Sequence, residues 1–250
     1  MLRKIRLTLA IVFFTLITLL FLDFTGTLHA WFGWMAKIQF LPAVLALNVG
    51  VVLALVILTL LLGRVYCSVI CPLGVFQDII AWFSKKSKKN RYRYSPALSW
   101  LRYGVLGVFV VTLVAGVHSF VALLAPYSSY GRIANNLFAP IYQWGNNLLA
   151  YLAERADSYA FYDTTVWLKS LPTFVIAAVT LVVLVVLAWR GGRTYCNTIC
   201  PVGTVLGFLS KYAYLKPVID TDKCVNCNLC ARNCKASCID IKNHRIDYSR

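Results

Sequence analysis

Residues 7–22 read LTLAIVFFTLITLLFL, with no charge and no turn-forming residue. A helix needs roughly 20 such residues to cross a bilayer core. Three later segments are nearly as apolar: 42–62 (PAVLALNVGVVLALVILTLLL), 100–117 with a continuation toward Leu124, and 172–189 (PTFVIAAVTLVVLVVLAW). Pro42 and Pro172 suit the first turn of a helix, where an N–H has no partner to lose. The fold class expected from these runs is mainly α, a polytopic membrane protein of about four transmembrane helices. The chain is 60% hydrophobic and only 14% charged, too apolar for an ordinary soluble domain.

The first run follows Arg3, Lys4 and Arg6, as a secretory signal would, and Leu28-His29-Ala30 faintly resembles a cleavage site. The run is longer than a usual signal core, and residues 23–30 are not rich in small side chains. An uncleaved span is therefore expected.

The 25 Lys+Arg against 9 Asp+Glu give a formal net charge of +16. A nucleic-acid partner would explain such a charge, but no basic soluble domain is left over to hold one. The charge lies in loops instead. Residues 63–99 carry Arg64, Lys85, Lys86, Lys88, Lys89, Arg91 and Arg93 against Asp78. In residues 118–171, Arg132, Arg155 and Lys169 are balanced by Glu154, Asp157 and Asp163. Positive loops face the cytoplasm, which places the N-terminus, the first loop and everything after Trp189 inside a bacterial cytoplasmic membrane.

Two of the apolar runs end in the same motif. Gly63–Gly74 reads GRVYCSVICPLG and Gly192–Gly203 reads GRTYCNTICPVG, with eight of twelve residues matched. Each copy leads into a mixed apolar and basic stretch, 75–86 and 205–216, with the character of an interfacial helix. The chain thus divides into tandem membrane halves, 1–99 and 100–219, related by a pseudo-two-fold axis along the membrane normal. The second half carries a long outside loop, 118–171, of the kind that is usually functional. Residues 220–250 form a separate C-terminal segment.

Cys67 and Cys71, like Cys196 and Cys200, stand one helical turn apart on one face, and the following Pro72 or Pro201 ends or redirects the helix. One pair cannot saturate a metal centre. The two pairs together would offer four thiolates to one further iron–sulfur cluster, 4Fe-4S or 2Fe-2S. Redox dithiols and structural thiols are the alternatives. Arg64 and Arg193 precede the pairs at matching positions. They are candidates for holding a cofactor's negative charge, since cations favour thiolates, or for anchoring at the interface.

Cys224, Cys227, Cys230 and Cys234 have the C-x2-C-x2-C-x3-C spacing of a bacterial-type ferredoxin, which holds a 4Fe-4S cluster. Zinc more often uses two separated pairs. Lys235 stands where a proline is usual, and Cys238 is read as a spare thiol. In two-cluster ferredoxins the fourth cysteine serves the other cluster. A second run is therefore expected beyond Arg250, with the chain a piece cut before it; the alternative is one cluster completed by Cys234 or Cys238. His29 and His118 near the outer ends are expected to be interface anchors rather than haem or quinone contacts. Asp23 is a weak candidate for accepting a quinol proton, and the polar turn Tyr127–Arg132 one for contacting a partner or a quinone head.

With the doubled C-x3-C-P motif and the ferredoxin run in place, the chain resembles the membrane-bound polyferredoxins of the NapH, NosR and CcoG type over nearly its whole length. That resemblance implies a membrane protein of four to six helices whose cytoplasmic clusters pass electrons. Cys67, Cys71, Cys196 and Cys200 match its C-x3-C-P motifs, and Cys224, Cys227, Cys230 and Cys234 its first ferredoxin run. The family usually shows two such runs and this chain shows one.

The expected function is a membrane-anchored iron–sulfur electron relay between a cytoplasmic or quinol donor and a membrane or periplasmic acceptor. Its partners would be a flavoprotein, cytochrome or reductase, and a quinone. No residue has the setting of a hydrolytic or group-transfer catalyst, so the chain reads as a component of an oxidoreductase system. Thiolate-based copper handling or cupric reduction is the rival reading, and an iron–sulfur sensor a third.

Overall fold

The computed structural model describes residues 2–23, 26–86, 92–155, 162–166 and 170–250. Lys88, Lys89, Arg91, Asp157 and Lys169 lie outside the described residues, as do the side chains of Arg3, Lys85 and Lys86.

The architecture is mainly helical. Helix α1 (Leu2–Leu22) covers the first apolar run and is followed by short α2 (Thr27–Phe32) and α3 (Trp34–Lys37). Asp23 serves the turn between α1 and α2: its carboxylate accepts the N–H groups of Gly26 and His29, each at 3.0 Å. That is the ordinary local work of an Asp beside a helix start.

Residues 42–62 do not form one helix. They split into α4 (Phe40–Leu45) and α5 (Val49–Leu62). Between them Leu47 takes a left-handed φ of 51°. Leu47 N–H bonds Val44 O at 3.1 Å and Asn48 N–H bonds Ala43 O at 2.9 Å, the two bonds of a Schellman cap. The third run breaks in the same way. Helix α8 (Ser99–Val114) and a shorter helix, 118–124, are separated by Gly116 at φ 74°. Gly116 N–H bonds Leu113 O at 3.2 Å and Val117 N–H bonds Thr112 O at 3.0 Å. In both runs hydropathy continues across a residue whose backbone stops the helix. Among the described residues only α1 and the Leu171–Gly191 helix are long and apolar enough to cross a membrane by themselves.

Between α5 and α8 lie α6 (Tyr66–Val69) and α7 (Pro72–Lys86). Beyond α8 come α9 (His118–Leu124), α10 (Pro126–Ile133), a π-helical turn (Ala134–Phe138), α11 (Ala139–Glu154), α12 (Leu171–Gly191), α13 (Thr194–Thr198), α14 (Pro201–Ser210) and α15 (Leu229–Asn233). A two-stranded antiparallel hairpin, β1 (Ile239–Asp240) and β2 (Arg245–Ile246), closes the C-terminal segment.

The described residues of 118–155 are largely helical, and α10 packs on α7 and α12 and meets α1 through Tyr130. Tyr130 is fully buried. Its ring lies 5.5 Å from that of Phe14 and 6.1 Å from those of Phe21 and Phe76, and its hydroxyl meets Thr18 Oγ at 2.6 Å. Helix α7 has the amphipathic form its sequence suggests: Leu73, Gln77, Ala81 and Ser84 are buried while Trp82 and Phe83 are exposed. Helix α14 does not. It ends at Ser210 rather than Lys216, and most of its residues are buried between α5, α8 and α13.

Tyr130→Ala should remove the ring that joins α1, α7 and α10, costing about 3–5 kcal/mol by the core-truncation rule. Trp144→Ala, on an exposed side chain, should stay within about 0.5 kcal/mol. Unfolding of the two variants in detergent, followed by far-UV circular dichroism, checks the difference.

Candidate metal centre

The two repeats fold alike because their matched residues have matched tasks. Helix α5 ends at Gly63 (φ 73°, ψ −149°) and α12 at Gly192 (φ 67°, ψ −109°), backbone settings open to glycine and little else. The chain then enters α6 or α13, which carries the first cysteine and an anchoring tyrosine. Tyr66 OH donates to Gln39 Oε1 at 2.9 Å and accepts Phe40 N–H at 3.0 Å. Tyr195, 7% exposed, is buried facing Ser129 on α10.

The second cysteine sits at the N-terminus of the next helix, with proline in the first position, where it leaves no N–H orphaned. Cys200 Sγ accepts Gly203 N–H at 3.3 Å, and Cys71 holds the matching place before Pro72. A Cβ on Gly74 would stand 2.0 Å from Cys67 O, and one on Gly203 2.2 Å from Cys196 O. The glycine that ends each motif thus lets α7 and α14 start directly against the preceding turn.

Cys67, Cys71, Cys196 and Cys200 are all 4% exposed or less, and the two pairs come together. Gln77 of α7 donates Nε2–H to Cys196 Sγ at 3.2 Å, and Arg64 Nη2 donates to Cys196 O at 3.1 Å. Burial pushes the Cys71 thiol well up, and the charges of Cys196 and Cys67 push it further. Cys200 is raised by burial and then by all three others. Cys196 is pushed up to about 12 by burial and Cys67, with Arg64 and Arg193 pulling the other way. Four thiolates in such a place repel one another unless a cation stands among them. No three His, Cys, Asp or Glu side chains among the described residues close on a position for one metal ion. Buried thiols with N–H donors at Cys196 and Cys200 have the chemistry of iron ligands, where the metal's charge would replace the thiol protons.

Both matching arginines turn inward beside the thiols. Arg193 makes a two-pronged bond to Asp78, Nη2 to Oδ2 at 2.6 Å and Nε to Oδ1 at 2.9 Å, and Lys235 Nζ lies 3.6 Å from Oδ1. Burial alone would raise Asp78, but Arg193 and then Lys235 hold it below the usual carboxylate value. Arg64 meets no carboxylate among the described residues, because Gly207 occupies the place in the second copy that Asp78 holds in the first. The carbonyl of Ser249 enters there, accepting from Arg102 Nη2 at 2.9 Å and Arg64 Nη1 at 3.3 Å.

The C-terminal cysteines have a different setting. Cys227 and Cys230 are exposed, and Cys224 and Cys234 half-buried. Left-handed Asn226 (φ 50°) and Asn228 (φ 60°) curl the loop between them. Cys238 is buried with its Sγ 3.4 Å from Cys234 Sγ. That contact and nearby backbone N–H groups bring Cys234 down to about 6, while Cys238 rises as the donor of the pair. His118 lines a cleft of about 260 Å³ with Leu41, Pro42 and Tyr127. Tyr127, Gly131 and Arg132 border another of about 340 Å³ with Asn135 and Thr173.

Sequence reasoning passed over Gln77, Asn197 and the partnership of Asp78. Asp78 carried a signal, as the lone acid in a strongly basic loop. Gln77 carried a fainter one, an amide among apolar neighbours.

Residues 44–90 and 171–217 each match the family described as a 4Fe-4S binding domain, and these two segments contain the C-x3-C-P pairs. The chain is 22% identical over 199 residues to YccM of Escherichia coli K12, named as a candidate electron transport protein; the match covers 78% of this chain and 47% of YccM. It is 27% identical to the ferredoxin-type protein NapH of Haemophilus influenzae, over 78% of this chain and 55% of NapH. It is 23% identical to the methylamine utilization ferredoxin-type protein MauN of Paracoccus denitrificans, over 69% of this chain and 48% of MauN. The chain thus spans about half the length of these relatives. No solved structure matches it. The two 4Fe-4S binding segments and these relatives support 4Fe-4S clusters in this chain and are consistent with the NapH-type polyferredoxins that it resembles.

Asp78→Asn should leave buried Arg193 without its countercharge and cost about 3–5 kcal/mol. Because folding lowers the Asp78 pKa, the carboxylate's contribution is complete above its ordinary value of 3.8 and is lost as the pH falls through and below it. Melting curves from pH 7 to 3 should show a steeper acid loss in the parent than in Asp78→Asn.

Proposed function

We propose that this chain is a membrane-anchored iron–sulfur electron carrier. In this reading Cys67, Cys71, Cys196 and Cys200 jointly hold one cluster, and Cys224, Cys227, Cys230 and Cys234 serve the ferredoxin-type cluster chemistry of the C-terminal segment. The convergence of two buried cysteine pairs from two repeats carries the proposal. The names of NapH, MauN and YccM support electron transport. The two long apolar helices and the basic loops support a membrane with the cysteine motifs on its cytoplasmic side. α1 and α12 would be full crossings, and α5 and α8, each capped by its broken-off partner α4 or α9, the other two.

An iron–sulfur cluster bound at the thiols supplies one-electron redox chemistry. The protein's share is position and tuning. The thiols of Cys71 and Cys200 lie at helix N-termini, where the dipole favours negative charge. The amide of Gln77 and the N–H of Gly203 donate to sulfur, favouring the more negative, reduced state. Arg64 and Arg193 offset the same charge, and the surrounding core keeps water out. Electrons would pass between a cytoplasmic or quinol donor and a membrane or periplasmic acceptor, with a flavoprotein, cytochrome or reductase as partner.

The test is to purify the chain anaerobically, count iron and acid-labile sulfide, and record EPR spectra. Replacing Cys67, Cys71, Cys196 and Cys200 together by Ser should remove the iron of one cluster and its signal while leaving the C-terminal signal. An unchanged iron count with every signal intact would end the shared-site reading, and copper bound in proportion to those four thiols would favour a metal-handling protein.

A further inference from the structure

The C-terminal segment is fastened to the second repeat beside Cys196. Arg193 N–H donates to Lys235 O at 2.9 Å, and a Cβ on Gly192 would stand 2.4 Å from that same oxygen. The Lys235 ammonium also reaches Asp78. One residue farther on, Asn197 Nδ2 donates to Ala236 O at 3.1 Å. Asn197 directly follows Cys196, is 3% exposed, and has its amide orientation set from the other side. Arg64 Nη1 donates to Asn197 Oδ1 at 2.8 Å, which leaves the NH2 end facing Ala236. Ala236 follows Cys234 by two residues, and the turn between them is closed by Ser237 N–H donating to Cys234 O at 3.1 Å.

Cys196 and Cys234 are therefore joined by covalent bonds with one hydrogen bond among them: Cys196, the side chain of Asn197, the carbonyl of Ala236, then the backbone through Lys235 to Cys234. The first repeat is built differently at this point. Its matching residue is Ser68, whose hydroxyl turns back on Val65 O at 3.0 Å. The Asn/Ser mismatch between the two copies thus falls where the second copy meets the C-terminal segment.

We propose that Asn197 is the residue that couples the two cysteine groups for electron transfer, its side-chain amide closing the route between Cys196 and Cys234. The proposal rests on the reading that both groups hold iron–sulfur clusters. One electron lost on the Cys234 side is gained on the Cys196 side; no bond breaks and no proton moves. Electronic coupling falls off faster across a gap than along bonds, so the route depends on the Asn197 contact remaining closed.

Two variants of the full chain test it. Asn197→Asp keeps an oxygen for Arg64 but has no N–H for Ala236, and Asn197→Leu keeps the approximate size with neither bond. Ala236→Gly keeps the backbone carbonyl that Asn197 meets and serves as control. Redox titration by EPR gives the potential of each centre, and freeze-quench EPR after partial reduction gives the rate at which an electron equilibrates between them. Both Asn197 variants should retain both signals and equilibrate several-fold more slowly than the parent at matched driving force, with Ala236→Gly at the parent rate. A parent rate in either variant with both signals present would overturn the proposal. Loss of a signal in both variants would mark Asn197 as structural and overturn it equally. If the four-cysteine variant keeps the parent's iron and signals, the failure belongs to the shared-site reading and not to Asn197.

Discussion

Four cysteine thiols are buried in this protein and raised by burial and by one another's charge, and much of the architecture around them answers to that constraint. Each sulfur must be brought in from a different turn of chain, and each turn must be rigid enough to hold it there. The glycine after α5 and after α12 redirects the backbone. The tyrosine before each first cysteine pins the turn to a neighbouring helix. The glycine after each proline lets the next helix begin in contact with the turn it leaves. Positive charge then arrives from three sources: two arginines, two helix N-termini and the side-chain amide of Gln77.

Much of this was legible in the sequence. The repeat exposed the paired cysteines and the arginines before them, because a metal site constrains residue type and spacing together. The ferredoxin spacing was equally plain. The breaks at Leu47 and Gly116 were less so. Hydropathy reports burial in lipid or protein and is indifferent to backbone φ, so a run such as 42–62 reads as continuous even where one left-handed leucine ends the helix. The depth of α10 was hidden for a related reason. Its residues 126–133 are polar enough to suggest an exposed loop, yet Ser129 and Tyr130 satisfy their hydroxyls inside the bundle. Asp78 looked like one stray acid, and only the fold shows that it faces an arginine from the other repeat.

The halves have diverged most where the C-terminal segment arrives. Asp78 answers Arg193 with a carboxylate, while Arg64 is answered by a main-chain carbonyl that reaches in across Gly207. Ser68 bonds within its own turn, while Asn197 reaches outward.

The bare position at Gly207 has a consequence for the history of the chain. A side chain there would meet Ser249 O, which stands 2.4 Å from where its Cβ would lie. A protein assembled from two copies of the first repeat would bring an aspartate to that place and evict the segment that carries the ferredoxin cysteines. The duplicated modules are therefore no longer interchangeable. One presents an aspartate and the other an open place at the same position, and only the second has room for the carbonyl of Ser249.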